Sequence, residues 1–239
     1  MQKISIQSNN LKLVGNLFLP SKVNTANGIG VLILHGGSVT GKDRFISLQN
    51  YLAQNKLVSL AVDFRGIGES EGTFKLSSLL DRLADAQATL KAFSSYANKV
   101  IVIGCSMGAH VAVKLLEGNN EVRETILLYP AAYGKKAERL PFDQSFTNEL
   151  RTPNSWKDSP VFPVLRKYLG KIMIIYGQED TIIPSEVKAA YQKAIENKGR
   201  FTMLPNVNHL LLAEKSPQER KIRDKVFSMI LEFVDEPEN

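Results

Sequence analysis

The sequence VIVIGCSMGAHVAV, residues 100–113, decides the fold. Four β-branched residues predict a buried strand, a serine between two glycines follows, and a helical pattern begins directly after it. A sharp turn between a strand and a helix lifts the serine hydroxyl above the sheet, and the flanking glycines remove side chains that would collide. Ser106 is therefore the candidate nucleophile. The N–H of Met107 lies at the start of the predicted helix, where partial positive charge favours a developing oxyanion.

Outward from this stretch, apolar runs rich in β-branched residues alternate with helical patterns. This alternation predicts parallel strands with crossover helices, an α/β fold, and the turn Ser8-Asn9-Asn10 adds an antiparallel hairpin at one edge. About eight strands are predicted, at Lys3 to Gln7, Lys12 to Leu19, Gly30 to His35, Val58 to Asp63, Val100 to Gly104, Thr125 to Tyr129, Lys171 to Tyr176 and Phe201 to Leu204. Helices are predicted at Asp43 to Asn55, Ser78 to Tyr96, Ala109 to Glu117, Ser185 to Asn197 and Pro217 to Val234.

Residues 131–170 interrupt this alternation. They contain four prolines and six aromatic residues between two predicted strands. A connection of this length inside a compact domain is typical of a lid or binding insertion, whereas a small core of its own explains the aromatic residues equally well. We therefore expect one domain over residues 1–239, with a lid insertion at about 131–170.

A serine attacks at neutral pH only when a base removes its proton, and the usual base is histidine. The chain has three histidines. His35 ends a predicted strand, and His110 lies in a first helical turn where the helix dipole opposes an imidazolium, so both are predicted to be structural. His209 lies in a loop after the last predicted strand and is the predicted base.

The base in turn needs an acid that orients its ring and stabilises the imidazolium. Asp180 follows the predicted strand KIMIIYG in the turn GQED. It gives the chain order Ser, Asp, His that belongs to this arrangement. Glu179 is adjacent and remains an alternative.

The oxyanion needs a second donor besides Met107, and the loop after the strand VLILHGG supplies it in this arrangement. Gly37 is predicted, because a residue without a side chain lets its amide approach a substrate closely. Gly36 and Ser38 remain alternatives.

The sequence contains a second G-x-S-x-G, formed by Gly68-Glu69-Ser70-Glu71-Gly72. No strand leads directly into it, and no helix opens directly after it. Two carboxylates flank the serine and disfavour negative charge on an attacking oxygen. Ser70 is therefore predicted to be a loop residue.

Gly36-Gly37-Ser38-Val39-Thr40-Gly41-Lys42-Asp43 resembles a phosphate-binding loop up to its last position. That motif requires a Ser or Thr hydroxyl for magnesium, whereas Asp43 adds repulsion beside phosphates. A nucleotide-binding protein is thus a minor alternative. Asp43 is better explained as the N-cap of the following helix.

Composition and charge exclude several classes of protein and of binding site. The single cysteine excludes an internal disulfide and a Cys-rich zinc site, and the N-terminus lacks a signal-peptide pattern, so we expect a cytoplasmic protein. No apolar run approaches the roughly 20 residues that span a membrane. The net charge is +6, but acids interleave with the basic residues, as in EKSPQERKIRDK, which indicates a solvated helix face rather than a nucleic-acid site.

Five motifs together resemble the α/β-hydrolases: HGG at 35–37, DFRGIGESEG at 63–72, GCSMG at 104–108, GQED at 177–180 and NVNH at 206–209. The chain is similar to the small lidded carboxylesterases, which include cinnamoyl and feruloyl esterases, monoacylglycerol lipases and a serine aminopeptidase-like group. Asn206, where many relatives have glycine, and Leu210-Leu211, where an aromatic residue is frequent, depart from the pattern. The resemblance implies the family roles for the site residues, namely the triad Ser106, Asp180 and His209 and the oxyanion amides of Gly37 and Met107.

We therefore expect a serine hydrolase that cleaves carboxylic esters of small to medium acyl or aromatic acids through an acyl-enzyme. The expected partner is a small-molecule ester, and neither a metal nor an organic cofactor is implied. Cleavage of thioesters, peptides or other amides by the same triad is the first alternative, and a non-catalytic binding module is the second. The oligomeric state cannot be inferred from the sequence.

Overall fold

The computed structural model describes residues 1–20, 28–37, 40–196 and 198–236. Within these residues one sheet is formed by β1 (Gln2–Ser8), β2 (Leu11–Phe18), β3 (Ile29–Leu34), β4 (Val58–Val62), β5 (Lys99–Cys105), β6 (Val122–Leu128), β7 (Lys171–Gly177) and β8 (Gly199–Leu204). The strand order is β1-β2-β4-β3-β5-β6-β7-β8. β2 pairs antiparallel with both β1 and β4, and the pairs from β4 to β8 are parallel. The predicted hairpin edge and the mostly parallel sheet are confirmed.

The central strands are covered on both faces, which explains their continuous runs of Val, Ile and Leu. In β5, the six residues from Val100 to Cys105 are all buried. Because the strands from β4 to β8 are parallel, their carboxyl ends lie at one edge of the sheet. Cys105, Gly177 and Leu204 end β5, β7 and β8 there, so the loops that carry the predicted triad all start from this edge.

The described helices are α1 (Ile46–Gln54), α2 (Leu79–Phe93), α3 (Met107–Leu115), α4 (Gln144–Arg151), α5 (Val161–Lys167), α6 (Ser185–Ala194) and α7 (Pro217–Asp235). α1 contacts α7, whereas α2 contacts α3, α3 contacts α5, and α5 contacts α6. One group, α1 and α7, covers one face of the sheet, and the other group, α2, α3, α5 and α6, covers the opposite face. Ser78 and Ser216 begin α2 and α7 with reciprocal capping boxes, which satisfy N–H groups that the helices leave free. None of the helices in the described ranges is long and apolar enough to cross a membrane.

Two predicted helix starts differ from the structure. The helix expected from Asp43 opens with a 3-10 turn over Gly41–Phe45, and α1 begins at Ile46. The N-cap prediction for Asp43 is wrong, because its Oδ1 instead accepts a hydrogen bond of 2.9 Å from Asn16 Nδ2 on β2. α3 begins at Met107, two residues earlier than predicted, directly after Ser106. The predicted end of α6 at Asn197 lies outside the described residues.

The segment 131–170 contains α4 and α5, which the sequence did not predict as helices. Its aromatic side chains Tyr133, Phe142, Phe146 and Phe162 are all buried. Phe142 contacts Phe146 and stacks on Phe74 at 4.9 Å between ring centroids, which joins the insertion to the loop before α2. Packing therefore accounts for these aromatic residues. A lid function for the insertion stays a prediction.

Candidate active site

Ser106 occupies a strained turn between β5 and α3. Its backbone has φ 52° and ψ −116°, a region that residues with a Cβ rarely adopt. The turn is held by hydrogen bonds from Ser106 N–H to Leu128 O at 2.9 Å and from Ala131 N–H to Ser106 O at 3.2 Å. Within the described residues the half-buried Ser106 hydroxyl forms no hydrogen bond, so it is available to a substrate.

Gly108 allows α3 to start directly against the loop after β3. A Cβ at this position would collide with the backbone carbonyls of Leu34 and His35. The glycine after the serine is therefore required by close backbone approach. This contact brings the HGG loop, with Gly36 and Gly37, beside the start of α3.

The buried carboxylate of Asp180 pairs with the partly buried imidazole of His209. Asp180 Oδ2 lies 2.8 Å from His209 Nδ1, while Oδ1 accepts hydrogen bonds from the N–H groups of Ile182 and Ile183 at 2.9 and 3.1 Å. Burial acts to raise the pKa of Asp180, but the hydrogen bonds from His209 and the two amides outweigh it, so the pKa is lowered. The carboxylate thus stays ionised and only accepts, so in the neutral form of the imidazole the ring proton lies on Nδ1 and the lone pair on Nε2.

The alternative acid, Glu179, is exposed to solvent. Its backbone N–H donates to Val207 O at 2.8 Å, which ties the acid loop to the loop that carries His209. Asn206 in that second loop has φ 58°. This left-handed conformation is free of strain for glycine and tolerated by asparagine, which gives a physical reason for the departure noted at this position.

Tyr129 lies beside the histidine of the site. It follows β6, has a strained φ of 42°, and is fully buried. Its ring centroid lies 4.5 Å from that of His209, and its N–H donates to Ile175 O at 2.7 Å. Tyr129 therefore packs against the imidazole of His209. The role of Tyr129 could not be predicted from the sequence, because its contact with His209 joins residues that are distant in the chain.

Gly37 and Met107, the predicted oxyanion donors, are neighbours. A Cβ built on Gly37 would lie 3.7 Å from Met107 Cε. Met107 is the first residue of α3, so its N–H has no acceptor within the helix. Gly37 is exposed and Gly36 is buried, which favours Gly37 over Gly36 as the donor that reaches a substrate. The other alternative, Ser38, lies outside the described residues.

The two remaining histidines are buried and held in place. His35 Nε2 accepts from Phe64 N–H at 3.1 Å, and burial together with the charge of Arg82 lowers the pKa of His35 to about 3. His110 Nε2 contacts Glu138 Oε1 at 3.0 Å, and burial lowers the pKa of His110 despite that carboxylate. Neither imidazole is a proton acceptor for Ser106, in agreement with the structural roles predicted for them.

Lys42 does not serve a phosphate site. Its side chain is 1% exposed, and its ammonium donates to Asp63 Oδ2 at 2.7 Å and to Glu69 Oε2 at 3.1 Å. Because both acids already neutralise this lysine, the nucleotide-binding alternative loses its main cation. Across the described ranges, no three His, Cys, Asp or Glu side chains are grouped so that they could hold a metal ion.

The fold has close relatives among solved structures. The chain is similar to Est1E from Butyrivibrio proteoclasticus with ferulic acid bound, with a TM-score of 0.76, 19% identity, and coverage of 98% of this chain and 100% of that one. It is also similar to the esterase EaEST from Exiguobacterium antarcticum, with a TM-score of 0.74, 17% identity, and coverage of 98% and 100%. At these identities the likeness establishes the α/β-hydrolase fold.

Sequence comparisons extend this result. The chain is 22% identical over 199 residues to the uncharacterized protein YfhR of Escherichia coli O157:H7, covering 81% of this chain and 68% of that protein. A family model described as serine aminopeptidase, S33, matches residues 27–154, more than half of the chain. The chain therefore belongs to the serine aminopeptidase S33 family of α/β-fold hydrolases.

Proposed function

We propose that this hydrolase is a carboxylesterase in which Ser106 is the nucleophile, His209 the general base and Asp180 the acid that orients it. The observation that carries the proposal is the 2.8 Å pair of Asp180 and His209 at the sheet edge where Ser106 holds its strained turn. A serine, an imidazole held through Nδ1 and a buried carboxylate supply the three groups that acyl transfer requires.

In the first half-reaction, Ser106 Oγ bonds to the ester carbonyl carbon and its proton passes to His209 Nε2. The carbonyl π electrons move to oxygen, and the N–H groups of Gly37 and Met107 stabilise the resulting oxyanion. The carbonyl then reforms as the alkoxide leaves, and the alkoxide takes the proton from His209. The negative charge of Asp180 stabilises the imidazolium in between.

In the second half-reaction, water replaces the alcohol. His209 Nε2 accepts a proton from water as its oxygen bonds to the acyl carbon, and the oxyanion forms between the same two amides. Collapse of this intermediate breaks the bond to Ser106 Oγ, which takes the proton back. A carboxylic acid is released and the enzyme returns to its starting state.

An uncharged ester is the substrate class that the exposed apolar residues beside the acid and the base favour. Ile182 and Leu210, adjacent to the acid loop and to the base, are 66% and 50% exposed. Apolar side chains in such positions favour contact with an apolar acyl or alcohol group. The buried aromatic residues of the insertion give no support for an aromatic acid part. Esterases among proteins of the same fold give further support for ester cleavage.

Amide cleavage is the second candidate, and the description of the family as serine aminopeptidases favours it. Substrates with the same acyl group as a p-nitrophenyl ester, a thioester and a p-nitroanilide distinguish esterase, thioesterase and amidase activity. We expect the largest kcat/KM for esters, with a dependence on acyl length. A larger kcat/KM for the anilides of amino acids than for the esters would assign an aminopeptidase.

Ser106→Ala is the control for every substrate in this panel. It removes the attacking oxygen and should abolish turnover, whereas persistent ester hydrolysis would contradict the proposed nucleophile. Labelling by a fluorophosphonate tests the non-catalytic alternative, because only an activated serine reacts with it. A folded protein that neither reacts with the probe nor hydrolyses any member of the panel would be a binding module.

A further inference from the structure

The backbone carbonyl of Gly36 receives two buried side-chain donors. His35 Nδ1 lies 2.7 Å from Gly36 O, and Arg82 Nη1 lies 2.9 Å from the same atom. His35 Nε2 accepts from the N–H of Phe64, so the proton of this neutral imidazole is on Nδ1 and is donated to Gly36. Arg82 and His35 are both fully buried, so water does not compete for the carbonyl.

These two bonds also fix the orientation of the next amide. The described residues contain no cis peptide bond. In a trans peptide the C=O of Gly36 and the N–H of Gly37 point in opposite directions within one plane. Rotating this peptide so that the N–H of Gly37 turns away from the site would break both hydrogen bonds to Gly36 O, one of them charge-assisted. Gly36 itself lies against the nucleophile, since a Cβ on it would be 3.1 Å from Ser106 Cβ.

A purely structural role does not explain the surroundings of Arg82. Its guanidinium carbon lies 4.8, 5.6 and 5.0 Å from the ring centroids of Phe64, Phe74 and Phe142. Its Nε and Nη2 atoms are buried and have no hydrogen-bond partner among the described residues. Burial lowers the pKa of Arg82 to about 10, so it remains a cation at neutral pH. A buried cation in such surroundings is costly, and retaining one suggests a functional use.

We propose that Arg82 is a positioning residue for the oxyanion hole, acting with His35 through the carbonyl of Gly36 to aim the N–H of Gly37 at the reacting carbonyl. The inference rests on the proposed function. Arg82 does not touch the substrate in this scheme. Its positive charge also polarises the Gly36–Gly37 peptide, which strengthens the Gly37 donor, and it favours negative charge nearby because the surroundings are apolar.

Arg65 offers a matched control. It is an arginine of the same region, and it pairs with Asp81 at 2.6 Å and with Asp85 at 2.7 Å without contacting Gly36. Arg82→Met and Arg65→Met each remove one guanidinium, but only the first removes a donor to the carbonyl. Both variants are compared at equal concentration of folded protein, determined by near-UV circular dichroism and active-serine titration.

On a p-nitrophenyl ester we expect Arg82→Met to lower kcat by about 10²-fold with KM nearly unchanged, because an oxyanion donor is displaced while ground-state binding persists. An aryl trifluoromethyl ketone, which bonds to the serine and places an oxyanion in the hole, should bind more weakly by a similar factor. Arg82→Lys, which keeps a charged donor, should restore part of kcat. Arg65→Met should lower stability and leave kcat of the folded enzyme close to wild type.

Two kinetic results for Arg82→Met decide the inference. A kcat for Arg82→Met equal to that of Arg65→Met, or a loss expressed only in KM, would overturn it. If Arg82→Met does not fold, Arg82→Leu, which also removes the donor to Gly36 O, is compared in the same way. Wild-type protein that hydrolyses no ester and does not react with fluorophosphonate would instead refute the proposed function itself, which keeps the two failures distinguishable.

Discussion

The chain contains the same five-residue pattern twice, and the two copies have different structures. Ser106 has a positive φ, follows a buried strand, begins a helix and leaves its hydroxyl without a hydrogen bond to the described residues. Ser70 lies in a loop, where its hydroxyl donates to Asp63 O at 2.7 Å and accepts from Val14 N–H at 2.9 Å. A serine whose hydroxyl is saturated by backbone holds a loop in place, whereas a strained serine without such partners is suited to chemistry. The elements around the pattern decide between these roles.

The largest expected effect separates the two serines by activity. Ser106→Ala should lower kcat for ester hydrolysis on the order of 10⁶-fold, because the covalent route is lost. Ser70→Ala should leave kcat unchanged in the folded fraction, since its hydroxyl contacts only backbone groups. Steady-state kinetics on p-nitrophenyl butyrate compares them, and similar losses for both variants would remove the distinction drawn here.

Asp180→Asn tests the acid that supports the Ser106 copy. The amide keeps the size of the side chain but stabilises the wrong tautomer of His209, so kcat should fall by about 10⁴-fold. Glu179→Gln changes the exposed neighbouring acid and should have almost no effect. If the two substitutions exchanged these results, the acid would be Glu179.

The imidazole of His35 contacts the regions of both serines. Its Nδ1 donates to the carbonyl of Gly36, beside Ser106, and its Nε2 accepts from the N–H of Phe64, at the start of the loop that carries Ser70. Its pKa is lowered from 6.5 to about 3, mainly by burial. Between about pH 3 and pH 6.5, His35 is protonated in the unfolded chain and neutral in the folded protein. The free energy of unfolding therefore decreases as pH falls from about 6.5 towards 3, by up to about 1.4 kcal/mol per pH unit.

His35→Asn retains an amide donor for Gly36 and removes the titrating ring. The variant should be less stable than wild type at pH 7, but its urea unfolding free energy should fall by about 2 kcal/mol less between pH 7 and pH 4.5. The denaturant midpoints of both proteins at the two pH values provide the measurement. Parallel decreases in the two proteins would show that His35 does not carry this part of the acid sensitivity.

The last prediction concerns the Ser70 copy alone. Ser70→Ala leaves Val14 N–H and Asp63 O without their buried partner, so the free energy of unfolding should fall by about 1–3 kcal/mol. Chemical denaturation at pH 7 measures this loss. A Ser70→Ala variant as stable as wild type would mean that the two hydrogen bonds contribute nothing to the loop.

Local patterns were sufficient to predict the sheet. β-branched runs such as that of β5 have one stable environment in a buried sheet, and the structure brings Asp180 and His209 together as the chain order predicted. The side chain of Asp43 was misjudged because its hydrogen-bond partner, Asn16, lies on a distant strand. Arg82 and Tyr129 could not be identified from the sequence for the same reason. Their importance depends on which backbone groups and rings the fold places beside them.

The most direct test locates the reactive oxygen. The wild-type protein is labelled with a fluorophosphonate, digested, and analysed by mass spectrometry to identify the serine that carries the phosphonyl group. The account predicts one adduct, on Ser106, and none on Ser70. An adduct on Ser70, or no adduct on a protein that hydrolyses esters, would contradict it.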